Sequence, residues 1–180
     1  MGEDIRRATA EPLADRRARF DRLWQEHGPA LGRVVAAFAR PGADQDDLGQ
    51  EIALAVWQAL PSFRGDSSER TFALRIAHNR ALTHIWKRRT DAPLDDALPA
   101  PGPGPELAAE AKQAVDHLFG YVRQLPVLQR EVLTLALEDL SHDEIAAIVG
   151  ITVGNVAVRL TRARTTLREL MATEMDKVRS

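Results

Sequence analysis

The chain lacks several features that would assign it to common protein classes. It has no cysteine among 180 residues, which excludes disulfides, cysteine-ligated zinc and iron–sulfur clusters. No apolar run is long enough to span a bilayer, and Met1–Arg7 mixes acids with arginines and does not resemble a secretory signal. Only 5% of residues are aromatic, so the core has to be built from Leu, Val, Ile and Ala, which favours helices. We expect a cytoplasmic, all-α protein of one domain or two small ones.

The net charge of −2 conceals an uneven distribution. Residues 1–90 carry 15 Lys and Arg against 12 Asp and Glu, whereas residues 91–116 carry one Lys against six acids. Since screening limits the reach of a charge to about 10 Å, local basic clusters decide what the chain binds.

A break between two halves falls at Asp91–Pro105, which holds five of the ten prolines and two glycines. Proline fixes φ and removes a backbone donor, so the segment predicts a flexible acidic linker that could extend over about 45 Å. It could act only as a solvated tether, or its acids could mimic nucleic-acid phosphates.

Both halves have the apolar spacing of helices. Leu31, Val34, Val35 and Phe38 follow the i, i+3, i+4, i+7 pattern. A second helix should end at Pro61, and a third should run from about Thr71 to Arg88 after a polar loop. No stretch alternates with period two for long enough to predict a sheet.

The segment from Ser141 onward predicts a helix-turn-helix. Ser141 and Glu144 have the spacing of a capping box, and Gly150 stands where a tight turn requires positive φ. Ala146 has to be small because the second helix crosses close to it. That helix, Val153–Leu170, carries only cationic charges up to Arg168, which suits the major groove; the alternative is a helical hairpin with a solvated basic face.

The helix of the first half is also cationic. Residues 75–90 contain five Lys and Arg and no acid. At 100° per residue, Arg75, Asn79, Arg80, Thr83 and Lys87 fall within an arc of about 140°. A cationic face with an amide suits phosphates and base edges, although a simple solvated face has the same pattern.

These motifs resemble one family. Residues 47–51 (DLGQE), 63–68 (FRGDSS) and 75–79 (RIAHN) resemble region 2 of the extracytoplasmic-function (ECF) sigma factors, and residues 125–133 and 144–164 resemble region 4. The resemblance covers about residues 15–170. It implies region 2 at 12–90, a linker at 91–111 and region 4 at 112–174.

The resemblance implies a function in transcription initiation without an active site, a cofactor or a metal. Region 2 would bind core RNA polymerase and open the minus-ten promoter element, and region 4 would bind the minus-thirty-five element as duplex. The polymerase contacts would be its clamp helices and flap. An anti-sigma factor would control the chain and could hold it at the membrane, without direct membrane insertion of the chain itself.

Three sets of site residues follow from the resemblance. The loop 63–68 has an aromatic ring, an arginine and short polar groups suited to a flipped-out base, although Asp66, Ser67 or Ser68 could equally cap a helix. The predicted minus-ten residues are Phe63, Arg64, Asp66, Ser67, Ser68, Phe72, Arg75, Asn79, Arg80, Thr83, Lys87 and Arg88. The predicted minus-thirty-five residues are Thr152, Asn155, Ala157, Val158, Arg159, Thr161, Arg162 and Arg164. The predicted polymerase-binding residues are Asp47, Leu48, Gln50 and Glu51, of which Leu48 fits the core better.

The chain departs from the family pattern at several of these positions. Phe72 replaces the usual Trp, which reduces the area for stacking. Asn155 replaces Thr, and Ala157 and Val158 stand where basic and hydroxyl side chains are usual. Because Ala and Val cannot donate hydrogen bonds but can contact a thymine methyl, the family's usual minus-thirty-five sequence is not expected to transfer.

Other functions explain less of the sequence. An ordinary helix-turn-helix regulator would account for residues 141–170 but not for the loop 63–68 or Asn79. Catalysis is disfavoured because no nucleophile or phosphate-loop motif is present. His78 and His84 are separated by six residues, a rotation of about 240° around a helix, so they cannot share a metal on one face; we expect them at surface or DNA-proximal positions. A pure interaction module overlaps with anti-sigma binding. We also expect the two domains to be mobile relative to each other until a partner orients them.

Overall fold

The structure is a computed structural model and describes residues 11–91 and 108–179. These residues form seven helices and one 3₁₀ turn at Leu60–Ser62, with no strand, so the all-α prediction is confirmed. No single helix in the described ranges is long and apolar enough to cross a membrane, and α6 with α7 satisfies that test only as a pair bent by 98°. The helices are α1 (Leu13–Phe38), α2 (Ala43–Ala59), α3 (Glu69–Asp91), α4 (Ala108–Gln124), α5 (Val127–Ala136), α6 (His142–Val149) and α7 (Val153–Arg179).

Helices α1–α3 form the first helical unit. The predicted apolar stripe of α1 is buried, with Leu31 and Val34 each 1% exposed. Helix α3 begins at Glu69, two residues before the predicted start, because the Ser68 hydroxyl accepts a hydrogen bond from the Thr71 amide at 2.9 Å. One of the three predicted capping side chains therefore does cap the helix.

Helices α4–α7 form the second helical unit, and its turns follow the sequence prediction. Ser141 and Glu144 make the reciprocal capping box, and Gly150 ends α6 with φ of 74°. Ala146 is buried, as its position beside α7 requires. Helix α7 continues to Arg179, beyond the predicted end at Leu170, because no glycine or proline follows Gly154. Helix α4 begins at Ala108, before the predicted domain boundary at residue 112.

The two units pack against each other. Helix α1 contacts α4 and α5, α3 contacts α6, and buried residues of both units belong to one hydrophobic cluster. The expected mobility between the domains stays a prediction, but the structure shows the two domains in contact. The physical reason is a set of polar contacts between units that the sequence pattern does not reveal, centred on the buried Glu138. The predicted linker at 91–111 lies outside the described residues, apart from Asp91 at the end of α3 and residues 108–111, which are helical in α4.

Candidate nucleic-acid interface

The loop between the 3₁₀ turn and α3 forms a pocket of about 180 Å³. Gly65 turns the chain there with φ of 83°, a conformation that other residues rarely adopt. The loop thus brings together most of the side chains that were predicted to hold a flipped base. The pocket is lined by Ser62, Phe63, Arg64, Asp66, Ser67, Phe72 and Arg75.

Two aromatic rings form the inner wall of this pocket. The centroids of Phe63 and Phe72 lie 4.8 Å apart, and the guanidinium of Arg75 lies 6.0 Å from the Phe72 centroid. Phe72 is only 5% exposed, so it mainly supports Phe63 from the core. Phe63 is partly exposed and is the ring available to a ligand.

Helix α1 supports the loop from behind, which the sequence analysis missed. The Arg19 guanidinium lies 5.3 Å from the centroid of Phe63. Arg22 donates hydrogen bonds to both carboxylate oxygens of Glu69, at 2.9 and 3.1 Å, and thereby fixes the start of α3. These partners are 47 residues apart, so no local spacing could have indicated them.

The outer face of α3 continues from the pocket. Arg75 lines the pocket and is followed along the helix by the exposed side chains of Asn79, Arg80 and Thr83. The Thr83 hydroxyl donates to the Asn79 backbone carbonyl at 2.9 Å, whereas the exposed Asn79 side chain has its Oδ1 3.4 Å from His78 Nδ1.

The two histidines of α3 are buried, so the expectation of surface positions is wrong. His78 is 3% exposed and His84 is 8% exposed. Burial lowers the pKa of His78 and keeps its ring neutral beside Asn79, whose Oδ1 lies 3.4 Å from Nδ1. His84 instead pairs through Nε2 with Asp44 Oδ1 at 2.7 Å.

The C-terminal end of α3 borders α2 across a groove of about 440 Å³. Arg88 donates to Asp44 at 2.7 Å, and Lys87 Nζ lies 3.6 Å from Glu51 Oε1. Two cations predicted to bind phosphate are therefore paired with acids of α2 in this state. Of the predicted polymerase-binding residues, Asp47, Gln50 and Glu51 line this groove, whereas Leu48 is fully buried in the core.

Helix α7 presents the second predicted DNA-binding face. Its first turn is capped by the Thr152 hydroxyl, which accepts from the Asn155 amide at 3.2 Å. Val158 is 49% exposed, so an apolar contact point lies among polar groups. The other exposed members of the predicted set are Thr152, Asn155, Ala157, Thr161, Arg162 and Arg164.

Arg159 differs from the other predicted residues of α7. Its Nη1 lies 3.6 Å from Oε2 of Glu131 on α5, and its side chain is mostly buried. Glu131 itself is 5% exposed, and burial raises its pKa more than the nearby Arg159 charge lowers it. Arg159 therefore helps to join α7 to α5.

Comparison with known proteins identifies the family of this chain. The family model for sigma-70 region 2 matches residues 23–90, and that for sigma-70 region 4 matches residues 120–167. The ECF RNA polymerase sigma-E factor of Escherichia coli is 36% identical over 161 residues, which cover 81% of this chain and 82% of the relative. The chain belongs to the ECF sigma factors.

Two solved sigma-factor structures resemble this ECF sigma factor. CnrH in complex with the cytosolic domain of CnrY is 29% identical, with a TM-score of 0.62 over 87% of this chain and 90% of CnrH. RpoE from Bartonella quintana in complex with the anti-sigma factor NepR has a TM-score of 0.69 over 86% of this chain and 97% of RpoE. At 22% identity, the second comparison supports the fold alone. Both alignments extend over regions 2 and 4.

Proposed function

We propose that this sigma factor binds core RNA polymerase and directs initiation by contacting the minus-ten element through region 2 and the minus-thirty-five element through region 4. The observation that carries the proposal is the continuity of the pocket at residues 62–75 with the exposed cationic face of α3. A pocket beside a cationic face can hold one extruded base while the face follows the adjacent backbone.

In region 2, the proposed mechanism is capture of an unstacked base. Extruding a base costs a few kcal/mol, and stacking on an aromatic side chain recovers about 1–3 kcal/mol. Phe63 offers the partly exposed ring, Asp66 and Ser67 offer polar atoms for the base edge, and Arg75 supplies positive charge at the rim. Asn79 would read a neighbouring base, with Arg80 beside it on the phosphates.

In region 4, the proposed contacts lie on the exposed face of α7. Arg162 and Arg164 suit phosphates or guanine edges, and Asn155 suits adenine. Val158, at 49% exposure, is suited to the methyl group of thymine. This set supports a minus-thirty-five readout that combines one apolar contact with polar and electrostatic ones.

For core polymerase, the groove between α2 and α3 is the proposed docking surface of region 2. It combines the polar side chains of Asp47, Gln50 and Glu51 with the 56% exposed Leu54. A polar rim around an exposed apolar residue is typical of protein interfaces. The proposed occupant is the pair of polymerase clamp helices, and region 4 would bind the flap.

The proposed regulation is binding by an anti-sigma factor in the cytoplasm. The support is that CnrH, which is 29% identical to this chain, is solved in complex with the cytosolic domain of CnrY. A membrane-tethered anti-sigma factor would hold the sigma factor at the membrane without insertion of the chain itself.

The proposal is tested by transcription in vitro. Purified protein is added to bacterial core RNA polymerase with a library of randomised promoters, and the transcripts are sequenced. Discrete start sites that share a two-part upstream motif are expected. If the protein binds duplex DNA alone but neither binds core nor directs initiation, it is an ordinary regulator and the proposal is wrong.

The site assignments are tested by a reciprocal pair of variants on the promoter so identified. Asn79→Ala should reduce promoter opening roughly ten-fold, as expected for loss of one base contact, and leave core binding unchanged. Arg162→Ala should weaken binding of the upstream element and leave binding to an artificially melted minus-ten bubble unchanged. Permanganate footprinting measures opening, and fluorescence anisotropy measures core binding. Equal losses in both assays for Asn79→Ala would show that Asn79 is structural.

A further inference from the structure

Glu138 is the most completely buried charged residue in the contact between regions 2 and 4. Its side chain is 0% exposed and follows α5 at the turn to α6. Arg33 of α1 donates one hydrogen bond to each carboxylate oxygen, both at 2.6 Å, and Arg70 of α3 lies 3.4 Å from Oε2. A buried carboxylate of region 4 is therefore neutralised entirely by two arginines of region 2.

The turn that carries Glu138 has an uncommon backbone. Asp139 has φ of 53° and is the one non-glycine residue with positive φ in the described ranges. Such a conformation is unfavourable for a residue with a Cβ and persists where surrounding contacts hold it. The adjacent Glu138 ion pairs are contacts of that kind.

Further polar contacts cross the same boundary. The Thr71 hydroxyl donates to Glu144 Oε1 of α6 at 2.9 Å, and Arg123 of α4 donates to the Ala36 carbonyl of α1 at 2.7 Å. Glu144 already accepts from Ser141 in the capping box, and these hydrogen bonds lower its pKa. The contact with Thr71 thus joins the helix-turn-helix directly to the start of α3.

The closed arrangement places the two proposed DNA-binding surfaces close together. Thr71 adjoins Phe72 of the pocket, and Glu144 lies nine residues before Val153, the start of α7. Helical rise and chain geometry limit the distance from Glu144 to Val153 to about 20 Å. Minus-ten and minus-thirty-five elements lie about 25 base pairs apart, or about 85 Å along B-form DNA. The closed molecule cannot reach both elements at once.

We propose that the Arg33–Glu138–Arg70 cluster is a latch that holds region 4 on region 2 in the free sigma factor and must release before both promoter elements are bound. The requirement for release rests on the proposed function, whereas the latch itself does not. The 17 residue steps from Asp91 to Ala108 can extend over about 55 Å, so release requires no unfolding of either domain.

The latch is tested by the distance between the domains in the free protein. The chain has no cysteine, so Gln58→Cys on α2 and Glu169→Cys on α7 provide two exposed labelling sites for a donor and an acceptor dye. Single-molecule energy transfer should show mainly the closed state in the labelled parent. Glu138→Gln, which keeps the size and removes the charge, should raise the open fraction at least three-fold.

A matched control is available in the same domain. Glu131 is also buried, but its ion pair with Arg159 lies within region 4, so Glu131→Gln should leave the energy-transfer distribution unchanged. Arg33→Gln should raise the open fraction as Glu138→Gln does. The double variant should have an open fraction little higher than that of either single variant. Circular dichroism verifies that every variant keeps its helices. An unchanged distribution in Glu138→Gln, or an equal shift in Glu131→Gln, would overturn the latch.

The same variants separate the latch from the proposed function. Energy transfer requires neither polymerase nor DNA. If Glu138→Gln opens the molecule but even the parent fails to initiate transcription with core, the latch stands and the proposed function fails. If the parent initiates, Glu138→Gln should form promoter complexes at several-fold lower protein concentration, because a larger fraction is competent to bind. An opened variant with unchanged promoter affinity would contradict the regulatory role.

Discussion

At the scale of single residues, two buried glutamates of region 4 show how environment decides the effect of a charge. Glu138 receives two short hydrogen bonds from Arg33, which largely compensate for its burial. Among the described residues, Glu131 pairs with Arg159 at 3.6 Å, beyond hydrogen-bond distance, and burial raises the pKa of Glu131. The ion pairs of Glu138 hold a contact between the two regions, whereas ionisation of Glu131 opposes folding.

This difference predicts a pH effect for Glu131→Gln. Because burial raises the pKa of Glu131 in the folded state, this carboxyl contributes most to folding stability at pH values below its ordinary pKa. That contribution is lost as the pH rises through the pKa of the folded state. At pH 7.5 the substitution should therefore increase the free energy of unfolding, because it removes a buried carboxyl whose ionisation opposes folding.

Urea unfolding at pH 5 and pH 7.5 measures the effect. The increase in the free energy of unfolding should be smaller at pH 5, where Glu131 is already protonated in a larger fraction of the unsubstituted protein. A loss of stability at pH 7.5 would mean that the charge pair with Arg159 outweighs the cost of burial.

At the scale of elements, local chemistry determines the turns, and the sequence predicts them well. The capping box, the glycine turn and the apolar spacing of α1 act over a few residues and are visible in the sequence. The partners of Lys87, Arg88 and Arg159 lie on other helices, and their ion pairs could not be predicted from spacing on one helix. The support that Arg19 gives to the pocket was missed for the same reason.

Two glycines near the helix-turn-helix give a prediction at this scale. An added Cβ would meet no atom within 4 Å at Gly150 or at Gly154, so only backbone conformation distinguishes them. Gly150 has φ of 74°, and Gly150→Ala should destabilise the protein by about 1–2 kcal/mol. Gly154 is helical, and Gly154→Ala should stabilise it by about 0.4–1 kcal/mol.

Thermal unfolding of both variants measures the difference. Gly150→Asn should have a melting temperature between those of the parent and Gly150→Ala, because Asn tolerates the left-handed region better than Ala. Equal changes in melting temperature for Gly150→Ala and Gly154→Ala would show that the turn at Gly150 relaxes to another conformation.

At the scale of the whole molecule, the docking of region 4 on region 2 was the feature that sequence patterns could not reveal. Arg33 and Glu138 are 105 residues apart, and each is an ordinary charged residue in its local context. Composition correctly indicated two helical units, but the contact between them depends on burial and pairing across the fold. Because buried residues of both regions share one cluster, we expect the two regions to unfold as one cooperative unit in the free protein.

This cooperativity is testable without labels. All three tryptophans, Trp24, Trp57 and Trp86, lie in region 2, so their fluorescence reports on that region alone, whereas far-ultraviolet circular dichroism reports on the helices of both. As the urea concentration rises, fluorescence and circular dichroism should each show a single unfolding transition, and the two transitions should coincide. Glu138→Ala should separate them, because the buried arginine contacts that couple the regions are lost. Glu131→Gln should keep them coincident. Two dichroism transitions in the unmodified protein, only one matching the fluorescence, would show that regions 2 and 4 unfold independently despite their contact.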